Sequence, residues 1–119
     1  MAQMKTVGQY VERFNQMTNQ SLPVGNIYQS DGLATHVAKR HPNEIGNLVH
    51  IPTIISSPDY IGQNPNEPDS IELVKTISAN VMVCVKLDKY HNHMYVASVF
   101  NITNGKLQSR IKSGRLKRY

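Results

Sequence analysis

Near the amino terminus apolar residues recur at helical spacing. Val7, Tyr10, Val11, Phe14 and Met17 share one face, which predicts an amphipathic helix over residues 6–17. The stretch Ser21-Leu22-Pro23-Val24-Gly25 ends it and separates a helical segment, 1–22, from an α+β body, 23–119, within one compact domain. Ser30 or Asp31 caps a second helix that carries Leu33, Ala34, Val37 and Ala38 inward and stops at Pro42. A third helical piece spans 43–55, with Pro52 as a break or kink, and the proline-rich 57–69 reads as a long loop. The period then changes. Residues 71–77 alternate, 81–87 are almost continuously apolar, and 94–102 are rich in β-formers, with short connections between them. A last helix over 105–113 closes at Gly114. The expected fold is α+β: N-terminal helices packed on an antiparallel sheet of three to four strands, then a short C-terminal helix.

Length and composition agree with one folded domain: 119 residues, 39% hydrophobic and 18% charged. Charge is unevenly placed. Residues 1–88 hold 6 Lys and Arg against 8 Asp and Glu, whereas 89–119 hold 7 basic residues and no acid, giving the net +5. A polyanion-binding face fits that concentration better than a generally basic protein does; a solvated basic tail is the plainer alternative. The lone Cys84 lies between Val83 and Val85 and reads as a buried, inert thiol in a reducing compartment. The first residues lack the apolar core of a signal peptide and no segment is long enough to span a bilayer, so the expected address is the cytoplasm, with no membrane partner.

Candidate chemistry concentrates in two places. The helix end Thr35-His36-Val37-Ala38-Lys39-Arg40-His41-Pro42 carries two imidazoles and two cations, and His36 and Arg40 are i, i+4 neighbours able to act on one anion. Pro42 biases His41 out of helical geometry, which lets it turn back toward the same cleft. In the last helix Lys106 and Arg110 form a cationic ridge, extended by Arg115, while Leu107 and Ile111 face the sheet. Ser98 interrupts an apolar strand face that strict alternation assigns to Met94, Val96 and Phe100. Solvated helix faces and a serine bonded to backbone are the plainer readings of these features. Tyr95 and Tyr119 can stack a base, although packing roles are commoner. His91-Asn92-His93 has a metal-binding spacing but falls in an expected hairpin turn where no third ligand is assigned, and reads as a polar turn. There is no zinc motif, Walker loop, dinucleotide fingerprint or nucleophile elbow, and the carboxylates do not cluster for a two-metal site.

Four stretches in order resemble the phage and polymorphic-toxin members of the barnase–EndoU–colicin–RelE-like nuclease superfamily. They are the helix Leu33-Ala34-Thr35-His36-Val37-Ala38-Lys39-Arg40-His41, then Ile54-Ile55-Ser56-Ser57-Pro58-Asp59-Tyr60-Ile61, the strand Tyr95-Val96-Ala97-Ser98-Val99-Phe100, and Lys106-Leu107-Gln108-Ser109-Arg110-Ile111. The resemblance covers about residues 25–119. It implies metal-independent cleavage of RNA, transfer or messenger, by a toxin or phage effector that needs no cofactor and can have an immunity protein as partner. On that basis the expected catalytic residues are His36, His41, Arg40 and Ser98, and the expected phosphate-binding residues are Lys39, Lys106, Arg110 and Arg115. A nonenzymatic nucleic-acid-binding module and a phage structural or interaction domain are the alternatives.

Overall fold

A computed structural model describes residues 4–119. It contains one seven-stranded mixed sheet with spatial order β1-β2-β6-β5-β4-β3-β7. The strands are β1 Met4–Tyr10, β2 Gly25–Ser30, β3 Tyr60–Gly62, β4 Ser70–Thr76, β5 Asn80–Asp88, β6 His93–Ile102 and β7 Leu116–Arg118. Four α-helices, α1 Glu12–Thr18, α2 Gly32–Arg40, α3 Ile51–Ser56 and α4 Asn104–Lys112, lie between them, and a 3₁₀ stretch Pro42–His50 joins α2 to α3. Among the described residues only β2 and β6 pair in parallel.

This architecture corrects the expected three-to-four-stranded sheet preceded by helices. The chain opens with a strand, and helix begins only at Glu12. Residues 1–3, part of the expected N-terminal helical segment, lie outside the described residues. The physical source of the error is a β-bulge between Thr6 and Gly8, which breaks the two-residue alternation. Val7 and Tyr10 are both buried as a result, and two inward residues three apart imitate a helical period. β3 and β7 have three residues each, too few to show any period. Pro52 starts α3 within its first turn rather than breaking a longer helix, since its missing N–H falls among groups unpaired there anyway. Asp31 stands at the N-cap of α2 but makes no side-chain capping bond.

The central strands β4, β5 and β6 have two very different faces. Ile71, Leu73, Val81, Val83, Val85, Met94, Val96 and Val99 enter the main core, which Phe14, Leu33, Val37, Ile51, Ile54 and Ile55 cover from the helices. On the other face Val74, Met82 and Ile102 pack with Leu107 of α4 and Leu116 of β7. The apolar stripe of α4 therefore docks on half of that face, with Thr103 Oγ1 accepting from the Lys106 N–H at 3.1 Å to cap the helix. The other half stays polar. There Glu72, Cys84 and Ser98 stand opposite one another across three strands.

Glu72 is buried in that row, only 4% exposed, and Arg115 meets it with two parallel bonds, Nε to Oε1 at 2.8 Å and Nη2 to Oε2 at 2.7 Å. Arg115 reaches it from the segment between α4 and β7, which lies so close to β3 that any Cβ at Gly62 would collide with the Arg115 carbonyl oxygen. The end of the chain is fastened beyond it. Tyr119 packs edge-on to Phe14 at 5.7 Å, carries Arg13 over its ring at 4.4 Å, and donates its N–H to the Asp59 carbonyl. Residues 115–119 thus form part of the fold and are not a solvated tail.

Replacing Arg115 with alanine leaves the Glu72 carboxylate buried without its counter-charge. The expected loss is about 3–5 kcal/mol of stability, read as a fall in the urea midpoint. The double variant Arg115→Ala/Glu72→Gln recovers part of that loss, because the buried group is then neutral.

Candidate functional site

Two local features create a cleft on the polar half of the sheet. The pairing of β6 with β2 is limited to Met94 and Tyr95, so the rest of that edge of β6 is left for α2 and the 3₁₀ stretch to pack against. β6 also bulges opposite Cys84 and Val85, with Ala97 as the extra residue. The bulge reverses the alternation expected for this strand. Met94 and Val96 turn into the main core, whereas Ser98 and Phe100 stay on the opposite face.

The cleft has a volume of about 210 Å³. Ser98, Cys84 and Glu72 come from the sheet, His36 from α2, and Lys86, Glu67 and Ser70 close the side toward the β5–β6 hairpin. His36 is held there because Leu33 and Val37 are buried in the core, which leaves His36 on the exposed flank of α2 beside the sheet edge. It also lines a shallow groove with Tyr95 and Ala97, beside the bulge. The two carboxylates are each matched by a cation: Glu72 by Arg115, and Glu67 by Lys86 at 3.3 Å. Burial, with the Glu72 charge as the second cause, pushes the Cys84 thiol up to about 12. It is protonated at neutral pH and a poor nucleophile.

The remaining residues singled out in the sequence are placed differently. His41 ends α2 with φ −139° and ψ 62° and stacks on Phe100, ring centroids 5.1 Å apart and 21° from parallel. Its Nδ1 lies 3.5 Å from a Glu44 carboxylate oxygen. Phe100 follows Ser98 by two positions on the same strand face, so His41 sits beside the cleft without lining it. Arg110 is half-buried over the sheet, its Nη1 3.7 Å from Met82 Sδ, and its charge reaches Cys84. Lys39, Arg40 and Lys106 are exposed on α2 and α4, and none lines the cleft. Arg115 is committed to Glu72, and Tyr119 is occupied by Phe14 and Arg13.

Sequence reasoning missed Glu72 and Lys86. Each is a charged residue inside an apolar strand, and such a charge needs a partner; that requirement was the available signal. It also missed the third residue beside His91 and His93, which is Asp88. Among the described residues this trio at the β5–β6 turn is the one grouping of three side chains able to ligate a metal; the histidine, thiol and carboxylates of the cleft are not drawn together in that way. A polar cleft lined by a histidine and a hydroxyl, with its carboxylates paired to cations, can receive a phosphodiester and move a proton at it.

Residues 5–109 match the family model described as phage-Barnase-EndoU-ColicinE5/D-RelE like nuclease3. No curated protein and no solved structure matches the chain. The family match takes in most of the chain, including α2, the bulged β6 and most of α4. The chain belongs to the phage-Barnase-EndoU-ColicinE5/D-RelE like nuclease family.

Proposed function

We propose that this nuclease is a metal-independent endoribonuclease, and that His36 and Ser98 lie at its reacting centre. The observation that carries this reading is the convergence of His36 from α2 and Ser98 from β6 on one cleft in a chain of this family. In the reaction a base takes the 2′-hydroxyl proton, and the 2′-oxygen attacks phosphorus. The bond to the 5′-oxygen breaks, an acid protonates that oxygen, and a 2′,3′-cyclic phosphate remains. His36 is assigned the proton transfer, with His41 as its partner. Ser98 donates to a phosphate oxygen. Arg40, Lys39, Lys106 and Arg110 draw in and hold the backbone around the cleft, and Arg115, whose fork stays on Glu72, serves phosphate binding by cancelling the carboxylate charge at the cleft floor.

Pairing of the cleft carboxylates supports chemistry by side chains alone. Two-metal hydrolysis needs unpaired acids converging on one point, whereas Glu72 and Glu67 are each satisfied by a cation. The thiol is set aside for the opposite reason: its neutral form is strongly favoured.

The decisive assay incubates the protein with total RNA in EDTA. Wild type is expected to yield fragments ending in cyclic phosphate, and His36→Ala to cleave about 10²–10⁴-fold more slowly. Intact RNA with wild-type protein, together with salt-sensitive RNA binding that survives His36→Ala, would instead identify a nonenzymatic binding module. Cys84→Ser is expected to keep wild-type cleavage. The half-buried thiol should react with iodoacetamide far more slowly in the native protein than in urea at the same pH; equal rates would contradict its assignment as a neutral group.

A further inference from the structure

The tip of the β5–β6 hairpin has a constellation that the nuclease chemistry does not use. Asp88 ends β5 and pairs in register with His93, the first residue of β6, and His91 lies in the turn between them. One potential ligand atom from each of the three comes within 4.8 Å of the other two. The local backbone sets this arrangement. Asn92 adopts a left-handed conformation at φ 54° and donates its N–H to the Asp88 carbonyl at 2.7 Å, which folds the turn back on itself. Asp88 Oδ1 accepts from the N–H groups of Tyr90 and His91 at 3.0 and 3.1 Å, and this fixes the carboxylate. Its other oxygen, Oδ2, points at His91 Nδ1, 2.8 Å away. The two imidazoles lie nearly parallel, 18° apart, with ring centroids separated by 5.5 Å.

His93 supplies the independent sign of a missing ligand. Its Nδ1 is buried and has no hydrogen-bond partner among the described residues. The edge-on Tyr28 ring, 4.6 Å from the imidazole, holds the side chain in place. A buried imidazole nitrogen left without a partner is costly, and a metal ion bound at that nitrogen would remove the cost.

The geometry points to a binding site for a divalent transition-metal ion of the zinc class, held by Asp88, His91 and His93. Two imidazoles and one carboxylate are a borderline donor set that suits zinc and its neighbours better than magnesium or calcium, which take mainly oxygen ligands. Tetrahedral zinc with bonds of about 2.0–2.1 Å needs donors closer than the present spread, and rotation of the exposed His91 side chain is the movement required to close it. His91 is exposed, so a fourth position is open to water. The site lies on the same sheet face as the cleft but four residues along β5 from Cys84, about 13 Å away. It clips the hairpin and takes no part in the proposed cleavage, which runs in EDTA.

The test is zinc competition against a chromophoric chelator, using metal-free protein and no RNA. Wild type is expected to take up one zinc ion at micromolar concentration and to melt at a higher temperature with zinc than with EDTA. Asp88→Asn, His91→Ala and His93→Ala each weaken binding by about 100-fold or more, beyond the effect of losing an outer partner, and abolish the zinc-dependent rise in melting temperature. His50→Ala, a histidine outside the trio, binds as wild type does. Should His93→Ala fail to fold, the more exposed His91→Ala decides the matter. Absence of zinc uptake by wild type, or uptake undiminished in His91→Ala, overturns the site. Because the readout is binding, either result is independent of whether the protein cleaves RNA.

Discussion

A carboxylate buried in the sheet is the constraint around which the second face of this protein is organised. Glu72 sits in a strand otherwise committed to apolar packing, and leaving it without a counter-charge would cost several kcal/mol, on the order of the net stability of a small domain. Arg115 answers it with a bidentate fork, and that bond governs the course of the last residues of the chain. It draws the segment after α4 down to the sheet, where Gly62 permits close approach, β7 pairs with β3, and Tyr119 reaches Phe14. A run that looks like a basic tail in composition is therefore largely structural. Exposed positive charge remains on α2, on α4 and at Lys117 and Arg118.

With Glu72 neutralised, the same face can hold a polar cleft beside an apolar half. α4 covers Val74, Met82 and Ile102, and the row Glu72, Cys84 and Ser98 lies next to it, beyond the helix. The short parallel pairing of β2 with β6 leaves an edge for α2, whose buried Leu33 and Val37 orient His36 toward that row. The bulge at Ala97 turns Ser98 away from the strand's core-facing residues. Histidine and serine meet through two departures from regular sheet structure, an interrupted pairing and an extra residue. Such irregularities are often found where a sheet must re-aim a side chain.

Much of this was legible in the pattern of residues, and the failures have specific causes. The β4, β5 and β6 runs stood out because each is long enough to show alternation or continuous apolarity. The helix expected over 105–113 is observed at Asn104–Lys112, where a capping threonine and a terminal glycine bracket an apolar pair. β1 was hidden by its bulge, which gave Val7 and Tyr10 a helical spacing. β2 shows Ile27 as its one buried aliphatic residue, and β3 and β7 are too short to carry a period. Of the cleft residues, His36 was singled out because imidazole chemistry is visible one residue at a time, whereas Ser98 was singled out on an alternation with Met94 and Val96 that the bulge overturns. Glu72 was not, because its meaning depends on a partner 43 positions away.

The sequence by itself determined the central strands, the two amphipathic helices flanking the cleft, and the residues capable of acid–base and phosphate chemistry. These follow from local periodicity and from the chemistry of single side chains, which any chain of this composition carries wherever it folds. Only the tertiary structure decided which of those residues meet. It placed His36 with Ser98 and left Lys39, Arg40 and Lys106 outside the cleft. It took Arg115 for Glu72 and Tyr119 for Phe14. The physical reason is that burial, counter-charge and register are properties of pairs distant in sequence. A bulge of one residue, which leaves almost no mark on composition, reverses the face on which every following side chain appears.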